Sequence, residues 1–183
     1  MNEGLIPNRY AKALLKFASE SQRTERVYEL MVNLCASFSS SPSLTATIRN
    51  PFVSDADKTM LLTTAAAAGT DDECLADFVK LLIRNRRVDM IREIALAYCR
   101  LYRKANDIAV VEITTAYQPD SAERARLTRL VESNVSAAKV EMSFIVDPGI
   151  IGGFVITVDS RRLDASISNE LKQLRQQLLS KTK

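Results

Sequence analysis

The stretch Asp147-Pro148-Gly149-Ile150-Ile151-Gly152-Gly153-Phe154 runs into Val155-Ile156-Thr157-Val158-Asp159. Pro148 fixes its own φ, and Gly149 can take the positive φ that a tight turn needs. Ile150 and Ile151 are bulky enough to plug into a core. Gly152 and Gly153 allow a bulge or a close backbone approach. The β-branched run after them reads as a strand. A short turn at Ser160-Arg161-Arg162 then leads to Leu163-Asp164-Ala165-Ser166-Ile167 and a leucine-spaced helix. Asp164 or Ser166 can accept the orphan N–H groups at the start of that helix. The expected structural turn therefore consists of Asp147, Pro148, Gly149, Gly152 and Gly153, answered by Asp164 and Ser166.

Upstream, Ala109 to Thr115 is β-rich with partial alternation, and Asp120-x-x-Glu123 opens a helix carrying Leu127, Leu130 and Val131. Met142, Phe144 and Val146 alternate with Ser143, Ile145 and Asp147. The order from Ala109 onward is β-α-β-β-α, a small sheet with helices packed on it. Residues 106–183 are expected to form this α/β domain, with the boundary near Asn106-Asp107.

Residues 1–105 read as a bundle of six helices with short connections, so the chain is mostly α. Pro7 suits the first turn of helix 1. Helix 2 runs from about Gln22 until Ser39-Ser40-Ser41-Pro42 breaks it. A short helix from Leu44 to Arg49 stops before Asn50-Pro51, because the residue before proline avoids the α region. Ser54-x-x-Asp57 and Thr70-x-x-Glu73 resemble capping boxes. They open helices ending near Ala68-Gly69 and Asn85, and Asp89 is expected to cap a sixth helix.

Composition narrows the function. The chain has 183 residues with a net charge of +3, from 25 basic and 22 acidic side chains. That is a weak basis for nucleic-acid binding, which remains the alternative reading. There is no histidine, so the commonest general base and metal ligand is missing. The glycines of the turn are not followed by Gly-Lys-Ser/Thr, so no phosphate loop is present. Asp147, Asp159 and Asp164 read as turn and cap chemistry. No catalytic, cofactor or metal site is expected. Cys35, Cys74 and Cys99 lack metal-ligand spacing, and their odd number argues against a disulfide framework. Buried thiols in a reducing compartment follow. No signal peptide is visible at Met1 to Leu5. No apolar run approaches the ~20 residues needed to span a bilayer, so no membrane insertion is expected.

Helices 1 and 5 are more apolar than one core-facing stripe requires. Helix 1 offers Tyr10, Ala11, Leu14, Leu15, Phe17 and Ala18. Helix 5 offers Leu75, Phe78, Val79, Leu81, Leu82 and Ile83. Two readings are open: full burial inside the bundle, or a groove for an amphipathic helix. Arg84-Asn85-Arg86-Arg87 likewise reads either as cations at a helix C-terminus or as a nucleic-acid patch, for which it lacks interleaved aromatics and a wider basic face.

Taken in order, the motifs resemble one family. Pro7-Asn8-Arg9-Tyr10-Ala11-Lys12-Ala13-Leu14, Asn50-Pro51, Phe78 to Arg87, Asp-Pro-x-Ile-Ile-Gly-Gly, Asp-x-Ser and the Leu-rich final helix together are similar to the δ subunit of F-type ATP synthase. Its mitochondrial counterpart is the oligomycin-sensitivity-conferring protein. The resemblance runs from Pro7 to Leu178. It implies a non-catalytic peripheral-stalk subunit on the cytoplasmic face of a bacterial inner membrane. It implies an N-terminal bundle whose helices 1 and 5 receive the N-terminal helix of an α subunit. The residues carried over to that groove are Tyr10, Ala11, Leu14, Leu15, Ala18, Phe78, Leu81, Leu82, Asn85 and Arg86. It also implies a C-terminal domain that holds the C-terminal end of the b subunit. The chain departs from the family pattern at Tyr117 to Asp120, at Arg86-Arg87, where a glycine turn is common, and at Ala165, where glycine is frequent.

Overall fold

The computed structural model describes residues 4–69, 72–158 and 161–181. The chain is mostly helical, with a four-stranded mixed sheet in its C-terminal part. It divides into two compact units, Met1–Ala105 and Asn106–Lys183.

The first unit holds α1 (Leu5–Glu20), α2 (Thr24–Ser40), α3 (Pro42–Arg49), α4 (Asp55–Ala65), α5 (Glu73–Arg84) and α6 (Ile91–Ala105). Helix α6 lies at the centre and packs against both α1 and α2. It buries Ile91, Ile94, Ala95, Ala97, Tyr98, Cys99 and Tyr102. The face that α1 buries is Pro7, Ala11, Leu14 and Ala18, an i, i+4, i+7, i+11 stripe. Tyr28 stacks on Tyr102 with ring centroids 4.3 Å apart, fixing α2 against α6.

Local chemistry sets the helix ends. Ser54 Oγ accepts from Asp57 N at 3.1 Å, and its hydroxyl donates to Asp57 Oδ2 at 2.7 Å. The cap expected at Thr70 lies outside the described residues. Asp72 at the head of α5 turns elsewhere. It takes the Arg26 guanidinium in a two-pronged pair (3.1 and 2.8 Å) and accepts from Gly69 N at 2.8 Å. Asp89 lies inside a 3-10 turn, Val88–Met90, that leads straight into α6, so it does not act as the expected cap. Helices α1, α4 and α5 close on residues with positive φ: Gln22, Ala67 and Arg86. In each, the next residue's N–H reaches back five positions, as Arg87 N does to Leu82 O at 2.8 Å. Arg86 thus occupies a backbone position that glycine fills most easily.

The second unit holds β1 (Ile108–Thr115), α7 (Ser121–Asn134), β2 (Lys139–Val146), β3 (Gly153–Val158), β4 (Arg161–Ser166) and α8 (Ile167–Lys181). The sheet order is β2-β1-β3-β4. Strands β1 and β2 are parallel and joined through α7, while β3 pairs antiparallel with β1 and β4. Val111, Ile113, Ile156, Leu127 and Val131 form the core between sheet and helix. Asp120 and Glu123 make a complete capping box at the start of α7.

Strand β4 corrects the expected order to β-α-β-β-β-α. On sequence its residues read as a turn and a helix lead-in. Arg161, Arg162 and Leu163 are exposed, so the segment lacks the buried alternation that marks a strand. Pairing with β3, not its own side chains, makes it one.

The Asp147 turn differs in detail from its reading. Asp147 Oδ1 accepts from Gly149 N at 2.8 Å and caps a 3-10 turn, Pro148–Ile150. Ile150 is buried, but Ile151 is 62% exposed and does not plug the core. Positive φ falls on Ile151 (68°) and Gly153 (74°), not on Gly149. A Cβ on Gly153 would run into the carbonyl oxygen of Ala165, so the second glycine is where backbones meet. Ser166 closes the far side: its Oγ accepts from Asn169 N at 3.2 Å at the start of α8, and Asp164 Oδ1 accepts from Ser166 N at 3.1 Å.

Candidate partner-binding groove

Helix α1 shows two apolar stripes. One is the buried face described above. The other, Ile6, Tyr10, Ala13 and Phe17, faces α5 across an open groove of about 700 Å³. From α5 the groove takes Cys74, Asp77, Phe78 and Leu81, with Arg9 and Arg87 also on its lining. Leu14 and Phe78, nearly buried, form the floor. Phe17 at 51% exposure and Leu81 at 46% form walls open to solvent. Along α1 the lining runs from Ile6 to Phe17, about 16 Å at 1.5 Å per residue, or roughly three turns of a docked helix.

Two other clefts, of about 700 and 770 Å³, flank α4. Serines and threonines make up half of the residues lining the first, and Thr59 and Thr63 lie on the second beside Asp55, Lys80 and Arg84. The α1/α5 groove contains neither, and Leu14, Phe17, Phe78 and Leu81 contribute to it.

Polar groups border this apolar floor. Asn85 Nδ2 donates to the Tyr10 hydroxyl at 3.2 Å, spanning from the end of α5 to α1. Asp77 pairs with Lys80 Nζ at 3.0 Å, one turn along the helix and exposed. Burial pushes the Cys74 thiol above its ordinary value.

The residues read from the sequence separate into groups. Tyr10, Leu14, Phe78 and Leu81 line the groove, and Asn85 borders it. Ala11, Ala18 and Leu82 are fully buried and lie in the core, because small side chains and Leu82 occupy the inward stripes. Leu15 is half-buried and outside the lining, and exposed Arg86 forms the α5 terminus. Ile6, Arg9, Ala13, Cys74, Asp77 and Arg87 line the groove although the sequence reading does not assign them to it, and Phe17, read on the apolar arc of helix 1, lines it as well. A signal was available in the second stripe, offset from the first by one residue and equally regular.

In the second unit, Ile167, Leu171 and Leu174 stand exposed at i, i+4, i+7 along α8, and Leu163 is exposed on β4. Among the described residues no group of three or more His, Cys, Asp or Glu is arranged to hold a metal ion. No helix among them is long and apolar enough to cross a membrane.

A helical unit followed by a small mixed sheet with flanking helices defines an architectural class. A chain of the mitochondrial ATP synthase hexamer of Toxoplasma gondii has the same fold. It superposes with a TM-score of 0.72 at 23% identity, covering 94% of this chain and 97% of that one. ATP synthase subunit delta of Bacteroides thetaiotaomicron is 36% identical over 100% of this chain and 98% of its own length. The Bacteroides fragilis subunit is 37% identical over the same shares. The sequence model of the ATP synthase delta (OSCP) subunit family matches residues 6–178, and the chain belongs to that family. The family is that of the peripheral stalk of F-type ATP synthases, and its members are structural subunits of the complex.

Proposed function

We propose that this chain is the non-catalytic connector of the peripheral stalk in a bacterial F-type ATP synthase, working at the cytoplasmic face of the inner membrane. The first unit receives the N-terminal helix of an α subunit in the α1/α5 groove. The second holds the C-terminal end of the b subunit, for which the exposed apolar side chains of β4 and α8 offer a surface. Rotor torque pushes the catalytic hexamer around, and the stalk resists it. Two linked contacts of modest strength suit this task, since the second binding event is effectively intramolecular.

The observation that carries this reading is the open apolar groove walled by Phe17 and Leu81. Each aliphatic or aromatic side chain that a docked helix buries there contributes roughly 1.5–3 kcal/mol. The test is calorimetric titration of the full chain with a synthetic peptide of the α-subunit N-terminus. Saturable binding with a negative heat-capacity change supports the reading. No binding to the peptide, or micromolar binding of ATP to the chain alone, overturns it.

A further inference from the structure

Arg9 and Arg87 both line the α1/α5 groove, and both are exposed. They reach one end of it from different elements. The Asn85–Tyr10 hydrogen bond marks that end: Arg9 immediately precedes Tyr10, and Arg87 closely follows Asn85. Helix α5 stops at Arg84, and the positive φ of Arg86 folds the chain back, with Arg87 N donating to Leu82 O. Arg87 therefore still lines the groove after the helix has ended.

The protein's own side chains leave this charge unanswered. Neither Arg9 nor Arg87 makes a side-chain hydrogen bond or ion pair among the described residues. Asp77, the acidic side chain of the lining, stands further back along α5 and is held by Lys80. The first turn of α1 carries no acidic residue. The macrodipole of α5 accounts for cations such as Arg84 and Arg86 at its C-terminus, but not for Arg9, which stands near the positive end of α1. An apolar floor with two unpaired guanidinium groups at one end is complementary to an apolar stripe flanked by carboxylates, which a guanidinium can grip through two parallel hydrogen bonds.

We propose that the groove selects an acidic amphipathic helix, one whose apolar stripe lies on Leu14 and Phe78 while carboxylates on its flank pair with Arg9 and Arg87. This rests on the groove reading above and adds to it the charge of the partner and the place where that charge lands. The apolar stripe supplies most of the affinity. The arginines supply speed and discrimination, because exposed charges at the edge of an interface steer the approach and are screened by salt. A helix that brings Lys or Arg to the same end meets like charge and is rejected.

The experiment compares two synthetic peptides on the full-length chain by calorimetry and stopped-flow kinetics. One is the N-terminal helix of the α subunit, and the other is the same peptide with every Asp and Glu replaced by Asn and Gln. The amide peptide should bind the wild type more weakly, and the gap should narrow as salt rises from about 50 to about 500 mM. Arg9→Gln and Arg87→Gln should each weaken the acidic peptide by about two- to fivefold, the usual worth of an exposed ion pair, mainly through the association rate. Both should leave the amide peptide's affinity and the melting temperature unchanged. Equal binding of the two peptides to the wild type overturns the proposal. So do equal losses for both peptides in the arginine variants, which would mean that the arginines shape the groove and do not read charge. If Phe17→Asp weakens both peptides while the arginine variants weaken neither, the groove reading stands and the charge proposal alone falls. A wild-type chain that binds neither peptide overturns the groove reading and this proposal with it.

Discussion

The Tyr10 hydroxyl accepts a 3.2 Å hydrogen bond from Asn85, joining α1 to the end of α5 across the candidate groove. The contact is exposed and neutral, so its net worth lies near the low end of about 0.5–1.5 kcal/mol. Its geometric effect is to hold the two groove helices at a set separation. Tyr10→Phe should cost less than about 1 kcal/mol of stability in urea. A greater loss of peptide affinity than of stability would mark the bond as positioning the groove.

Exposure separates walls from core. Phe17→Asp and Leu81→Asp should each weaken binding of the α-subunit peptide by about tenfold or more, since 1.4 kcal/mol is one decade. Both should leave the melting temperature nearly unchanged, because the side chains are 51% and 46% exposed. Leu82→Asp, at 0% exposure, should unfold the first unit. Calorimetry and circular dichroism on the same samples check this. Normal affinity in both wall variants would remove the groove as the docking site.

The two glycines before β3 should differ. Gly153→Ala places a Cβ against the Ala165 carbonyl at φ 74°, and should destabilise the second unit by about 1–3 kcal/mol or more. Gly152→Ala meets only the end of the Ile167 side chain, at 2.7 Å, which a rotamer shift of about 0.5–1.5 kcal/mol relieves. Ile151→Gly should stabilise, because Ile151 holds φ 68° while 62% exposed. Chemical denaturation gives all three values, and equal costs at Gly152 and Gly153 would contradict the geometry.

Acid should release the Arg26–Asp72 tie. The hydrogen bonds and charge of Arg26 hold the Asp72 carboxyl below its usual range. A depressed carboxylate stabilises the fold above its unfolded value of about 3.9, and that contribution is lost as pH falls through the lower folded value. The stability gap between wild type and Asp72→Asn should be constant above about pH 5 and close at the acid end. Urea titrations across that range measure it, and a gap independent of pH would exclude the linkage.

A fragment of residues 1–105 should fold alone, because its core is centred on its own helix α6. A cooperative thermal melt with a strongly helical spectrum is the expected outcome. A broad, non-cooperative melt would show that the first unit depends on the second.

By itself the sequence determined the types of most elements, the chain order of the helices and the place of the Asp147 turn. These rest on near-neighbour chemistry: apolar period, caps such as Ser54 and Asp120, and breakers such as Pro42 and Pro51. It also carried enough ordered motifs to point to the family. The tertiary structure decided what local chemistry leaves degenerate. Both stripes of α1 are apolar, so periodicity could not say that Ala11 and Ala18 face the core while Phe17 walls the groove. Strand β4 exists because β3 pairs with it, and its polar, exposed sequence carries no signal of its own. Arg86 and Ile151 take backbone conformations that glycine usually fills, so the expected marker was absent there. The stacking of Tyr28 on Tyr102 arises from the packing of α2 on α6, a contact between residues too far apart in the chain for any local pattern to specify.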